Sequence, residues 1–132
     1  MNRQKVAREL VRIAKKLMVG ARDRVATLKS DIERGMKKLV KKHDMTYEAR
    51  GVWGQIVGPG EGEPLDASIY KFKHTPDWKT VEVLFNDENM TYLLAGYVSS
   101  SVYDEMERMF KNLGYELVDS DGSRAILQKI GD

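Results

Sequence analysis

The stretch SVYDEMERMFKNLG, Ser101 to Gly114, places apolar side chains at Val102, Met106, Met109, Phe110 and Leu113. Steps of three and four follow the turn of an α-helix, so one stripe of this helix is apolar and needs cover. Ser101 and Asp104 resemble a capping box at its start, and Gly114 stands where a left-handed residue commonly ends a helix. On either side the period drops to two. Downstream, YELVD and RAILQK flank SDGS (Ser120 to Ser123), a glycine-containing hairpin turn. Upstream, TYEARGVWGQIVG reads as a strand with bends at Gly51 and Gly54, and SIYKFK as a second strand alternating Tyr70 and Phe72 with Lys71 and Lys73. The TPDW turn (Thr75 to Trp78) leads into a third strand carrying Val81, Val83 and Phe85. NDEN (Asn86 to Asn89) then reads as a hairpin loop, with MTYLLAGYV (Met90 to Val98) as the returning strand. GPGEGEPLD (Gly58 to Asp66) is too rich in glycine, proline and acid for regular structure and is expected to be the most mobile segment.

The first third of the chain is helical. In VARELVRIAKKLMVG (Val6 to Gly20), Val6, Ala7, Leu10, Val11, Ile13, Ala14, Leu17 and Met18 share one arc, and Lys5, Arg8, Arg12, Lys15 and Lys16 share the other. A second helical seam follows at Val25, Leu28, Ile32, Met36 and Leu39. Gly20, the Ser30–Glu33 capping pattern and Gly35 are candidate breaks. An αα-hairpin is expected, with one long bent helix as the alternative. The element order is αα-ββββ-α-ββ: an α+β fold in which a four-stranded meander, one packing helix and a C-terminal β-hairpin follow the N-terminal helices. The six aromatic side chains Trp53, Trp78, Tyr70, Phe72, Phe85 and Phe110 are expected in the core.

Charge divides the chain more sharply than its net +2 suggests. Residues 1–43 hold fourteen Lys and Arg against four acids, a net +10, whereas residues 44–132 hold eight against sixteen, a net −8. A basic helical arm over 1–43 and an acidic body over 44–132 are therefore expected. Such asymmetry suits an anionic partner, or a contact between the arm of one copy and the body of another. The absence of cysteine removes disulfides and thiolate chemistry, and no apolar run reaches the length of a membrane span, so a cytoplasmic location is expected.

No catalytic signature emerges. His43 and His74 have no second strong ligand at metal-binding spacing, and GPGEGE lacks the lysine of a phosphate-binding loop while adding two repelling carboxylates. Ser99, Ser100 and Ser101 stand where a helix cap is needed, and no histidine follows them. Neither enzymatic activity nor a metal or other cofactor is expected.

Two interaction readings compete. Leaving Val6, Leu10, Ile13 and Leu17 in water forgoes roughly 6–12 kcal/mol, at about 1.5–3 for each side chain. That face, with the seam Val25, Leu28, Ile32 and Leu39, is the candidate for assembly with a protein partner or a second copy. Alternatively, Arg34, Lys37, Lys38, Lys41 and Lys42, with Arg8, Arg12, Lys15 and Lys16, could meet nucleic-acid phosphates without sequence preference. Membrane attachment is not expected, because the apolar arc of the first helix lacks Trp and Phe anchors.

The segment Asn2 to Met18 also resembles the N-terminal VA-x-EL-V-x-x-A-x-x-L helix of small uncharacterised proteins of tailed bacteriophages, through Val6, Ala7, Glu9, Leu10, Val11, Ala14 and Leu17. The resemblance implies a phage-encoded, virion-associated protein found in host cytoplasm or virion, with this helix as a docking element. It supplies no catalytic residue. Non-enzymatic structural or interaction function is expected, with nucleic-acid binding as the alternative.

Overall fold

The computed structural model describes residues 3–50, 53–57 and 62–131, with side chains described over 3–12, 23–47 and 62–131. Its first element is a single helix, α1, from Arg3 to Lys42. The αα-hairpin does not form, and the long-helix alternative holds. One glycine costs only about 1 kcal/mol in a helix interior. Gly20 is flanked by Leu17, Met18, Ala21 and Arg22, with no proline nearby to stop the helix. The capping pattern at Ser30 is overridden because the apolar stripe continues through it, with Ile32, Met36 and Leu39 all buried. The helix ends in a Schellman closure: Asp44 takes a left-handed φ of 49°, its N–H donates to the Lys41 carbonyl at 3.2 Å, and the Met45 N–H donates to the Val40 carbonyl at 2.9 Å.

Two antiparallel sheets follow. Thr46–Arg50 (β1) and Trp53–Val57 (β2) pair with Arg50 opposite Trp53, so the stretch expected as one strand is two. Gly54 lies within β2 opposite Ala49; Gly51 lies outside the described residues. So do residues 58–61 of the expected mobile loop, but Glu63–Pro64 (β3) departs from that expectation by pairing with the other edge of β1. Leu65 and Ala67, just beyond, are buried and anchor the segment.

The second sheet contains Ile69–His74 (β4) and Thr80–Phe85 (β5), as expected. The expected strand over Met90 to Val98 is instead a short helix, α2 (Met90–Leu94), so NDEN is not a hairpin loop. Thr91 and Tyr92 favour strand, but Met90, Leu93 and Leu94 lie at helical spacing and are all buried. The Asp87 carboxylate starts the turn by accepting the Asn89 N–H at 2.9 Å. Ser100–Asn112 then form α3, with Ser99 rather than Ser101 at the N-cap position and no side-chain capping bond, and Gly114 leaves it at a φ of 91°. Tyr115–Asp121 (β6) and Arg124–Lys129 (β7) form the C-terminal hairpin, turning at Gly122. The sheet order is β4-β5-β7-β6. The α+β class holds, with the C-terminal hairpin taking the sheet positions expected for a longer meander.

The chain divides into two compact units, Met1–Ser30 and Asp31–Asp132. The boundary expected at His43 follows the charge step, whereas packing places the last part of α1 in the second unit. In that unit Ile32, Met36, Val81, Val83, Met106, Phe110, Ala125 and Leu127 are all fully buried. Gly35 lets α1 approach α3: a Cβ there would stand 2.8 Å from Cγ and Sδ of Met109. Phe85, Phe110 and Trp78 occupy the expected core, but Tyr70 is 69% exposed. A register shift between Ile69 and Lys71 removes Tyr70 from the buried side. Phe72 is half-buried, and the side chain of Trp53 lies outside the described residues.

Candidate interaction site

The first unit presents an apolar stripe in water. Val6 and Leu10 are one helical turn apart, and Val6, Leu10 and Val11 are 41%, 63% and 54% exposed. Ile13 and Leu17, expected on the same face, have side chains outside the described residues. Farther along α1, Val25 and Leu28 are half-buried. Ile32 and Leu39 are 0% and 4% exposed. This corrects their expected place in an assembly seam: they are occupied by the protein's own core, and the exposed portion of the proposed face is N-terminal.

The basic residues are likewise divided. Arg8 and Arg12 are exposed, and Arg12 pairs with Glu9 one turn before it. The side chains of Lys15 and Lys16 lie outside the described residues. In the second unit Arg34 pairs with Asp31 at 3.6 Å, Lys37 with Glu33 at 3.2 Å and Lys42 with Glu105 at 2.7 Å. Lys38 and Lys41 are exposed. Three of the five cations expected to meet phosphate therefore face carboxylates, two of them within the same helix turn. The third pairing was hidden from the sequence, because Glu105 lies on α3, 63 positions away.

A surface groove of about 660 Å³ separates the end of α1 from α3. Its lining includes Leu39 and Met109, with Arg34, Lys38, Lys42 and Arg108 among the charged members. Arg108 was not singled out in the sequence, where a single arginine on an acidic helix gives no signal. Glu105 also faces this groove and accepts hydrogen bonds from Lys42 at 2.7 Å and from the His43 ring, Nε2 to Oε2, at 2.7 Å. Bonding to Lys42 first, and then to His43, holds its carboxyl below the ordinary carboxylate value. A depressed folded-state value adds stability above the unfolded carboxylate value and loses it as pH falls through the folded one. Glu105→Gln is thus expected to lower the urea midpoint at pH 7. The difference from the parent should shrink as the pH falls below the ordinary carboxylate range; a deficit that stays equal throughout would remove this role from Glu105.

Among the described residues no three His, Asp or Glu side chains converge as a metal site, and no helix is long and apolar enough to cross a membrane. No family model matches the sequence, and no curated protein or solved structure matches it either.

Proposed function

We propose that this chain is a non-enzymatic assembly protein whose N-terminal helical face docks onto a second copy. The exposure of Val6, Leu10 and Val11 carries this reading. A stripe of large aliphatic side chains gains free energy only when something covers it, at about 25 cal/mol per Å² removed from water. Charge supports the choice of a second copy as partner. The first unit holds nine bases against two acids, a net +7, and the second holds thirteen against eighteen, a net −5. Opposite fields on the two units would steer one copy toward another and make the association rate fall with salt. The resemblance of Asn2 to Met18 to a phage-protein helix supports the same role and would place the assembly in host cytoplasm or virion. Nucleic-acid binding competes with this reading; the carboxylates facing Arg34, Lys37 and Lys42 weigh against it.

Leu10→Asp tests the proposal. Aspartate in a helix interior costs under about 0.7 kcal/mol in propensity, too little to unfold a domain. The molar mass of the full-length chain is expected to fall at least twofold with the circular dichroism spectrum intact. A mass equal to the parent's would remove the helical face from assembly.

A further inference from the structure

The geometry points to a second self-association surface, the outer face of the four-stranded sheet, which pairs with the same face of another copy about a two-fold axis parallel to its strands. It lies wholly within the second unit and goes beyond the helical face of α1. The inner face is set by Val81, Val83, Ala125 and Leu127, all fully buried. α2 and α3 pack against the sheet, and Ser120, an inner-face residue of β6, donates to the Leu94 carbonyl at the end of α2 at 3.4 Å. Alternation along each strand then fixes what points the other way.

The register assigns those residues column by column. On β4, Lys71 and Lys73 stand opposite Leu84 and Glu82 of β5. Glu82 and Leu84 stand opposite Ile126 and Arg124 of β7. Gln128, Ile126 and Arg124 in turn stand opposite Glu116, Asp119 and Asp121 of β6. Lys71, Lys73, Arg124 and the three β6 acids are all exposed. Across the sheet the columns therefore carry two positive charges, one negative, one positive and three negative. Apolar side chains accompany them: Leu84 and Ile126 on the two central strands are half-buried, while Tyr70 and Val118, at the register shifts of the edge strands, are 69% and 45% exposed.

That order is self-complementary. Turning a copy over about an axis along the strands sets β4 above β6 and β5 above β7, so every column meets one of opposite sign. An in-plane axis across the strands would instead set β4 above β4 and β6 above β6, three acids against three acids. One orientation is favoured and the other opposed, which is how charge selects among packings of the same two surfaces. Aligned sheets pack about 10 Å apart with strands within about 30°, close enough for long side chains from the two faces to meet. The contact is isologous and closes at two copies.

The test uses full-length chains carrying Leu10→Asp, so that the helical face is silenced and its failure reads separately, in the comparison of Leu10→Asp with the parent. In that background light scattering is expected to give twice the 15.1 kDa chain mass. Adding Lys71→Glu and Lys73→Glu makes both outer columns acidic and should halve the mass. A second chain with Glu116→Lys and Asp121→Lys makes both outer columns basic and should also be monomeric. Mixing the two restores opposite signs at both contacts and should restore the doubled mass. A monomeric Leu10→Asp chain, an unchanged mass in the lysine variant, or a mixture that stays monomeric would each overturn the proposal. Loss without recovery would mean that the lysines meet something other than β6, such as an anionic polymer.

Discussion

Phe110→Ala is expected to destabilise the second unit by about 3–5 kcal/mol, the cost of deleting a fully enclosed aromatic ring whose cavity the neighbours only partly refill. The ring is completely buried, as are Ile32, Met36 and Met106. It lies on the stripe that made Ser101–Gly114 readable as an amphipathic helix, so the substitution acts on the residue that ties the α3 pattern to the core. A domain of this size has a total stability of roughly 5–15 kcal/mol, and each kcal/mol moves the melting temperature by about 4–8 °C. Thermal melting followed at 222 nm should fall by at least ten degrees or so. A shift of only a degree or two would mean that Phe110 is not enclosed and that α3 is not held as described.

Trp78 carries the other large effect, and here two terms oppose each other. Its φ is 61°, a left-handed backbone that a bulky residue adopts only under external constraint. That constraint is visible. The Tyr115 hydroxyl, itself buried, donates to the Trp78 carbonyl at 3.0 Å. The indole is 8% exposed, stacks on the His74 ring at 3.8 Å with a 10° tilt, and meets Phe72 at 6.4 Å. Asp77 closes the turn by accepting the Lys79 N–H and the Thr75 hydroxyl. Removing the ring costs about 3–5 kcal/mol, while glycine recovers roughly 1 kcal/mol of backbone strain. Trp78→Gly should therefore lose about 2–4 kcal/mol, and Trp78→Ala, which loses the ring and keeps the strain, about 1 kcal/mol more. The ordering is the discriminating result in urea unfolding. Alanine as stable as glycine would show that the turn does not hold position 78 in that conformation.

These two residues also mark what the sequence disclosed. α3 was legible because local period and burial agree over thirteen residues. The β5 alternation was legible for the same reason, since Val81, Val83 and Phe85 all point into the core. Met90 to Val98 misled because its β-forming Thr91 and Tyr92 lie between apolar positions that suit either period, and tertiary burial of Leu93 and Leu94 decided for helix. The left-handed conformation of Trp78 had no local sign, because the bond that holds it comes from Tyr115 on another strand. On the surface, the cations of α1 and their partners one turn away were plain in the sequence, but the partner of Lys42, Glu105 on α3, was not. Ile32 and Leu39 fit a helical seam equally well whether that seam faces its own core or a stranger, and only packing distinguishes the two. The alternating signs across the outer sheet face were unreadable before the strand order was known, since β7 lies between β5 and β6.

The proposed self-association would account together for the exposed stripe at Val6, Leu10 and Val11 and for the opposite charges of the two units. The most direct test is the molar mass of the unmodified full-length chain, by light scattering after size exclusion at low and moderate salt, with absorbance at 260 nm recorded on the same peak. With both surfaces intact, a nucleic-acid-free particle of at least four 15.1 kDa chains is expected. A single 15.1 kDa chain, or a larger particle that carries nucleic acid, would contradict it.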